Sequence, residues 1–192
     1  MADQPYKLVS RSAFGAGEPL AESWPEFSIA ELAGLSVWWL SVRAGGEDAL
    51  SKACEKQFGA GLPQARRYAE GEKGVRIAWA GERQYFVTGM QDAVPGAIER
   101  AGRVVDQSDG WLAIRITGGK SREVMEKLCG IDLHASVFPG GSAARAPVEG
   151  MIALIVCEDD TNGTFMILFQ RSSARSFLEH VRHAAHSTSP RG

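Results

Sequence analysis

The chain has 192 residues, with 21 Lys+Arg against 23 Asp+Glu, a formal net charge of −2, and 44% hydrophobic residues. That is long and apolar enough to build a core, which excludes disorder as the dominant state. The near-balanced charge argues against a nucleic-acid grip driven by bulk electrostatics. Three Cys without a CxxC pair make no disulfide framework and fit a reducing compartment.

Met1 to Leu8 carries Asp3, Pro5 and Lys7 and no apolar h-region, so no export segment is expected. The longest apolar run, Met151 to Cys157, is far shorter than the roughly 20 residues of a spanning helix. A cytoplasmic chain with no membrane and no nucleic-acid partner is expected. Residues 1–35 read as an N-terminal arm, broken by Gly15-Ala16-Gly17-Glu18-Pro19. Residues 187–192 read as a loose tail, and both ends are expected to be ordered only by contacts with something else.

Between the ends, 36–186 reads as a single pseudo-duplicated domain with halves 36–102 and 103–186. Val37 to Arg43 and Trp111 to Ile116 are β-rich runs, with Trp39-Leu40 answering Trp111-Leu112. Each ends in a double glycine, Gly45-Gly46 or Gly118-Gly119. A helix follows in each half, lined by Leu50, Cys54 and Phe58 in the first and by Val124, Met125 and Leu128 in the second. Gly59 and Gly130 are the expected C′ stops. Strand pairs come next. Gly74 to Ala80 and Gln84 to Thr88 flank Gly81-Glu82, and Met151 to Cys157 and Phe165 to Phe169 flank Asp159 to Gly163. The unbroken Ile152 to Val156 run predicts a strand buried on both faces. A second helix closes each half, with stripes Val94, Ala97, Ile98, Ala101 and Ala174, Phe177, Leu178, Val181. The fold class is α+β, a duplicated β-α-β-β-α unit, with Gly102 to Ser108 as the bridge.

Few residues announce chemistry. Gly119-Lys120-Ser121 resembles the end of a P-loop, but Ile114 stands where its first Gly belongs, so a plain strand-to-helix turn is expected. His180, His183 and His186 share a helical spacing without a carboxylate or Cys that completes a metal set. Cys129 reads as packed rather than reactive. Asp106, Asp109, Asp132 and Asp159-Asp160 sit beside turns, where Asp bonds its own backbone. The segment Ile131 to Arg145 is a long connection. Its Leu133 and Phe138 either cover the core, or the whole segment is a docking surface.

Several of these motifs carry a resemblance. They are Asp106-Gln107-Ser108-Asp109-Gly110-Trp111, Lys127-Leu128-Cys129, Ile131-Asp132-Leu133-His134, Phe138-Pro139, Gly141-Ser142-Ala143-Ala144-Arg145 and Arg171-Ser172-Ser173-Ala174-Arg175-Ser176-Phe177. Together with Trp79-Ala80-Gly81 and Gln84, this series resembles the gamma subunit of heterotetrameric sarcosine oxidase. The sequence departs from that pattern at Gly130 and Ala135, where the family usually has Pro.

The resemblance implies a fold like the folate-binding domain of the glycine-cleavage T-protein. It implies a non-catalytic structural subunit with alpha, beta and delta partners. The whole complex oxidatively demethylates sarcosine to glycine, makes hydrogen peroxide and passes the one-carbon unit to tetrahydrofolate. FAD, covalent FMN, NAD and the folate site are implied for the larger subunits, with no cofactor, metal or catalytic residue in this chain. His134, Phe138, Arg145 and Arg171 are the candidate partner contacts, because aromatic and Arg anchors dominate interfaces. Each has an intramolecular alternative, such as Arg145 or Arg171 pairing with Asp132. The competing readings are a free-standing folate-binding protein or aminomethyltransferase-like domain, for which the chain is short, and an assembly chain that leaves the mature enzyme.

Overall fold

A computed structural model describes residues 11–15, 17–90 and 96–188. In chain order its elements are β1 (Ala21–Trp24), β2 (Phe27–Glu31), β3 (Val37–Val42), α1 (Glu47–Phe58), β4 (Tyr68–Glu70), β5 (Arg76–Gly81), β6 (Gln84–Thr88) and α2 (Gly96–Ala101). Then follow β7 (Gly102–Asp106), β8 (Trp111–Thr117), α3 (Ser121–Leu128), β9 (Ala143–Val148), β10 (Met151–Asp159), β11 (Thr164–Gln170) and α4 (Ala174–Thr188).

The strands form two antiparallel sheets, β4-β5-β6-β3-β7 and β9-β10-β11-β8-β2-β1. Laid side by side, these orders give the duplication: β4 answers β9, β5 answers β10, β6 answers β11, and β3 answers β8. The fifth position shows an exchange. β7, which leads into β8, pairs with β3, while β2, which leads into β3, pairs with β8. Each half therefore lends its leading strand to the other half's sheet.

Alternation along the strands assigns side chains to three layers. Leu112, Ile114 and Ile116 of β8 face α3 and α4, with Ile155, Ile167 and Phe177. Leu40, Ile77 and Val87 face α1 and α2, with Leu50, Cys54 and Ile98. The opposite faces of the two sheets meet in a third cluster, where Val37, Ala78 and Phe86 pack on Ala113, Leu154 and Leu168. The result is a helix–sheet–sheet–helix stack. In β10, Ala153, Ile155 and Cys157 point one way and Leu154 and Val156 the other, so the strand is buried on both faces. The sheets touch along one edge, where an Arg67–Ser142 bridge is carried by Tyr68 N to Gly141 O at 3.1 Å and Ala143 N to Arg66 O at 2.9 Å.

An ion-pair chain also crosses between the sheets. Glu158 accepts two hydrogen bonds from Arg115, at 2.6 and 3.0 Å, and lies 3.4 Å from Arg76, which reaches Glu70 at 3.2 Å. The Glu158 side chain is only 10% exposed. Its hydrogen bond holds the Arg115 guanidinium above its ordinary range.

Several expectations need correction. The arm 1–35 is no loose arm beyond residue 20: Phe27 and Ile29 of β2 are buried against β8 and complete the second core. The bridge Gly102 to Ser108 is mostly strand β7. The repeat carries a leading strand and the counterparts β4 and β9 beyond the β-α-β-β-α unit. Gly59 stops α1 with a left-handed φ of 75°, but α3 ends instead at Cys129, which is extended and bridged to Val148. The helix α4 continues through Ser187 to Thr188. Met1 to Leu8, Val94 and the tail beyond 188 lie outside the described residues.

Two predictions follow from this packing. Ile29→Ala costs about 2–5 kcal/mol in chemical denaturation, the range of a buried aliphatic truncation; a loss below about 1 kcal/mol contradicts a structural role for β2. Glu158→Gln removes the carboxylate shared by Arg115 and Arg76, leaves Arg115 without an ion-pair partner and costs about 1–3 kcal/mol, whereas Glu70→Gln, whose side chain is 59% exposed, costs under about 1. Equal effects of the two substitutions contradict the bridge.

Candidate functional site

The strand exchange forces the linker between β2 and β3 and the linker between β7 and β8 past each other at one end of the sandwich. They are stitched together there. Gln107 N donates to Val37 O at 2.8 Å, Val37 N donates to Ser108 Oγ at 3.0 Å, and Leu32 N donates to Ala113 O at 2.9 Å. Ser108 N in turn donates to Asp106 Oδ1 at 2.9 Å, a local turn bond.

Two clefts open at this crossing. One, of about 840 Å³, is lined by Ser12, Gln107, Asp109, Trp111, Arg171 and Arg175 among others. The second, of about 560 Å³, is lined by Arg11, Glu31, Ser36, Ser108 and again Asp109, Trp111 and Arg171. The segment 11–15 is a wall of both. It is tied down by Glu31, whose carboxylate is buried and accepts from Ser12 Oγ at 2.6 Å and Leu20 N at 3.1 Å. Arg171 donates to the backbone carbonyl of Arg11. Order near the N-terminus thus comes from contacts within the chain.

The four sequence-predicted contacts fall in different places. Arg171 stands between the clefts. Arg145 is exposed on β9 with its guanidinium 5.4 Å from the Trp39 ring centroid. An aromatic row links the two regions: Trp39 meets Phe86 edge-on at 4.8 Å, and Phe86 meets Trp111 at 4.6 Å. His134 is exposed, its Nδ1 2.8 Å from Ser136 Oγ. Asp132 takes the His134 backbone N–H at 2.9 Å and pairs with neither arginine. Phe138 is a correction. It is 1% exposed in the core with Leu133, so its ring packs inside this chain and is not offered to a partner. Sequence reasoning missed Arg175, Asp109 and Trp111 as cleft residues. The one available signal was the helical spacing of Arg171 and Arg175, one turn apart.

The remaining motifs are structural. Gly118 has φ +129° and a Cβ there would meet Glu26 O at 2.3 Å, so the glycine serves a tight strand-to-helix turn. Lys120 is engaged with Glu26 at 3.4 Å and the Thr188 carbonyl at 3.2 Å. Asp159 caps its own turn through Thr161 and Asn162, which lower its carboxyl below the usual range. His180 lies 3.3 Å from Glu149, and no group of three His, Cys, Asp or Glu that could hold a metal occurs among the described residues. No helix among the described residues is long and apolar enough to cross a membrane. All three cysteines are buried; burial pushes Cys54 up to about 12 and also raises Cys129 and Cys157.

No protein-family model and no curated protein matches the sequence. Solved structures do match in shape. The fold is that of the glycine cleavage system aminomethyltransferase T from Bartonella henselae, at TM-score 0.51 and 13% identity over 79% of this chain; the match spans only 44% of that chain. A fuller match is the heterotetrameric sarcosine oxidase from Corynebacterium sp. U-96, solved in complex with pyrrole 2-carboxylate. Its TM-score is 0.75 and identity 22%, over 86% of this chain and 87% of the matched one. The sarcosine oxidase and T-protein resemblances read from the sequence therefore hold at the level of fold.

The sealed thiols give a test. Thiol reagents at pH 8 leave the native protein unlabelled and label all three Cys on denaturation. Cys54 has a raised native pKa, so its contribution to stability is present below the unfolded value of 9.0. It is lost as pH rises from 9.0 toward about 12, because only the unfolded thiol ionises. Rapid native labelling contradicts this burial.

Proposed function

We propose that the chain is a non-catalytic structural subunit, the gamma counterpart, of a heterotetrameric sarcosine oxidase-type complex. The observation that carries this reading is coextension. The chain and the matched sarcosine oxidase chain cover each other almost end to end, at 86% and 87%, whereas the chain spans 44% of an aminomethyltransferase. On this reading alpha, beta and delta subunits are its partners and hold FAD, covalent FMN, NAD and the folate site. The assembly oxidises the sarcosine N-methyl group, releases glycine and hydrogen peroxide, and passes the carbon to tetrahydrofolate. This chain contributes a rigid double sheet and surfaces on which partners fold. Its sealed thiols, engaged Lys120 and open, polar clefts suit such a role better than a chemical one.

The test is co-expression with and without the larger subunits, followed by size exclusion monitored at the flavin absorbance. Co-elution with a flavin-bearing complex, and a flavin-free chain when expressed alone, is the expected result. A stable monomer that binds tetrahydrofolate at micromolar concentration contradicts it. That outcome favours a free-standing folate-binding or aminomethyltransferase-like protein, the reading supported by the fold shared with aminomethyltransferase T.

A further inference from the structure

We infer that Arg171 and Arg175 form a carboxylate-binding pair that receives an acidic segment of a partner chain in the trench made by the two clefts. This deepens the subunit reading and rests on it for the source of the segment. The first observation is the state of the two guanidinium groups. Among the described residues Arg171 meets only the Arg11 carbonyl, and Arg175 makes no hydrogen bond or ion pair. Arg76, Arg83, Arg115 and Arg182 are each paired with a glutamate, while Arg43, Arg100 and Arg103 share the unpaired state among the described residues, so placement in a cleft is what sets Arg171 and Arg175 apart. A neutral carbonyl satisfies a guanidinium less well than a carboxylate, which accepts a bidentate, charge-assisted pair of hydrogen bonds.

The second observation is where the pair stands. Both arginines line one cleft of about 840 Å³, with Gln107, Gln170 and Ser172 adding side-chain hydrogen-bonding groups and Trp111 an aromatic surface. Among the described residues Asp109 is the only acid lining that cleft, and no ion pair joins it to either arginine. In the neighbouring cleft Glu31 accepts from Ser12 and Leu20 and forms no ion pair with Arg11 or Arg171 among the described residues, and the described lining of the two clefts holds three arginines against two acids. Arg175 is the second residue of α4 and Arg171 lies just before the helix, whose first turn holds no acidic residue, so two cations stand near the positive end of the helix dipole. An incoming anion relieves that repulsion. The guanidinium of Arg175 lies over Gly15, where a Cβ would come within 2.6 Å of its Nη2. The glycine thus lets the arginine lie along the wall of the trench.

The third observation is shape. The clefts share Asp109, Trp111 and Arg171, and together run from the β2–β3 linker to the start of α4. Both are open; the first is lined largely by polar groups, and the second mixes polar groups with Leu32, Leu35 and Leu112. Small-molecule sites enclose most of their ligand within largely apolar walls. An extended acidic peptide matches this trench better than a free dicarboxylate does.

The experiment uses the full chain and a fluorescein-labelled tetra-aspartate peptide, read by fluorescence anisotropy at low salt. Saturable binding is expected, weakened at least ten-fold by Arg175→Gln and by Arg171→Gln and unchanged by Arg43→Gln, an exposed arginine outside the trench. Arg175→Gln is the decisive variant because it removes no side-chain hydrogen bond or ion pair among the described residues, and its melting temperature is checked against the wild type. Equal weakening by Arg43→Gln, or no saturable binding, overturns the inference. Succinate that competes as well as the unlabelled peptide overturns the peptide assignment and leaves a free carboxylate as the ligand. A chain that co-purifies with the large subunits yet ignores the peptide overturns the trench and leaves the subunit reading intact.

Discussion

The pairing of β2 with β8 and of β7 with β3 is the constraint on which the rest of the structure depends. Without β2, the second sheet ends at β8 and its helix-facing cluster loses Phe27 and Ile29. Without β7, the first sheet ends at β3. Neither half owns a complete sheet, so the halves are interlocked by backbone hydrogen bonds as well as by the shared apolar layer. Burial of apolar area supplies most of the stabilisation. The exchange decides which surfaces can be buried together.

The same constraint builds the candidate site. Two linkers that must cross leave a seam, and a seam between strands cannot pack as densely as a strand pair. Here the seam is closed from outside by residues 11–15, clamped through Glu31 and Arg171. The two clefts are what remains on either side of that clamp. Trp111 begins β8 at the seam, and it joins Phe86 and Trp39 in a row that leads through the inter-sheet layer toward Arg145. The structure brings Arg171 and Arg145 into relation through this row, and leaves His134 apart on an exposed turn.

What the sequence could say was set by local chemistry. Long apolar runs with strong β-formers, such as Ile152 to Val156, and helical stripes, such as Ala174 to Val181, were readable because each is decided by its own periodicity. The missed strands lack that signal. β7 is five residues that open on Gly102; β9 reads Ala-Ala-Arg-Ala-Pro-Val, poor in β-formers and holding Pro147 on a sheet edge. β1 and β2 flank Pro25, and every residue of β1 is at least partly exposed. Partner choice was unreadable in principle, since nothing in residues 27–31 states that their mate lies at 114–117 rather than in β3. For the site, the residue type of Arg171 was informative but its surroundings were not. Phe138 misled because an aromatic in a long connection serves a core as readily as an interface.

The most direct test of the interlock is to produce residues 1–109 and 110–192 as separate polypeptides, which cuts the chain in the turn before β8. The exchange predicts that 110–192 alone shows no cooperative melting transition. It also predicts that mixing restores one 1:1 particle with a single transition and native thiol protection. A cooperative transition for 110–192 by itself, unchanged by adding the other fragment, contradicts the account.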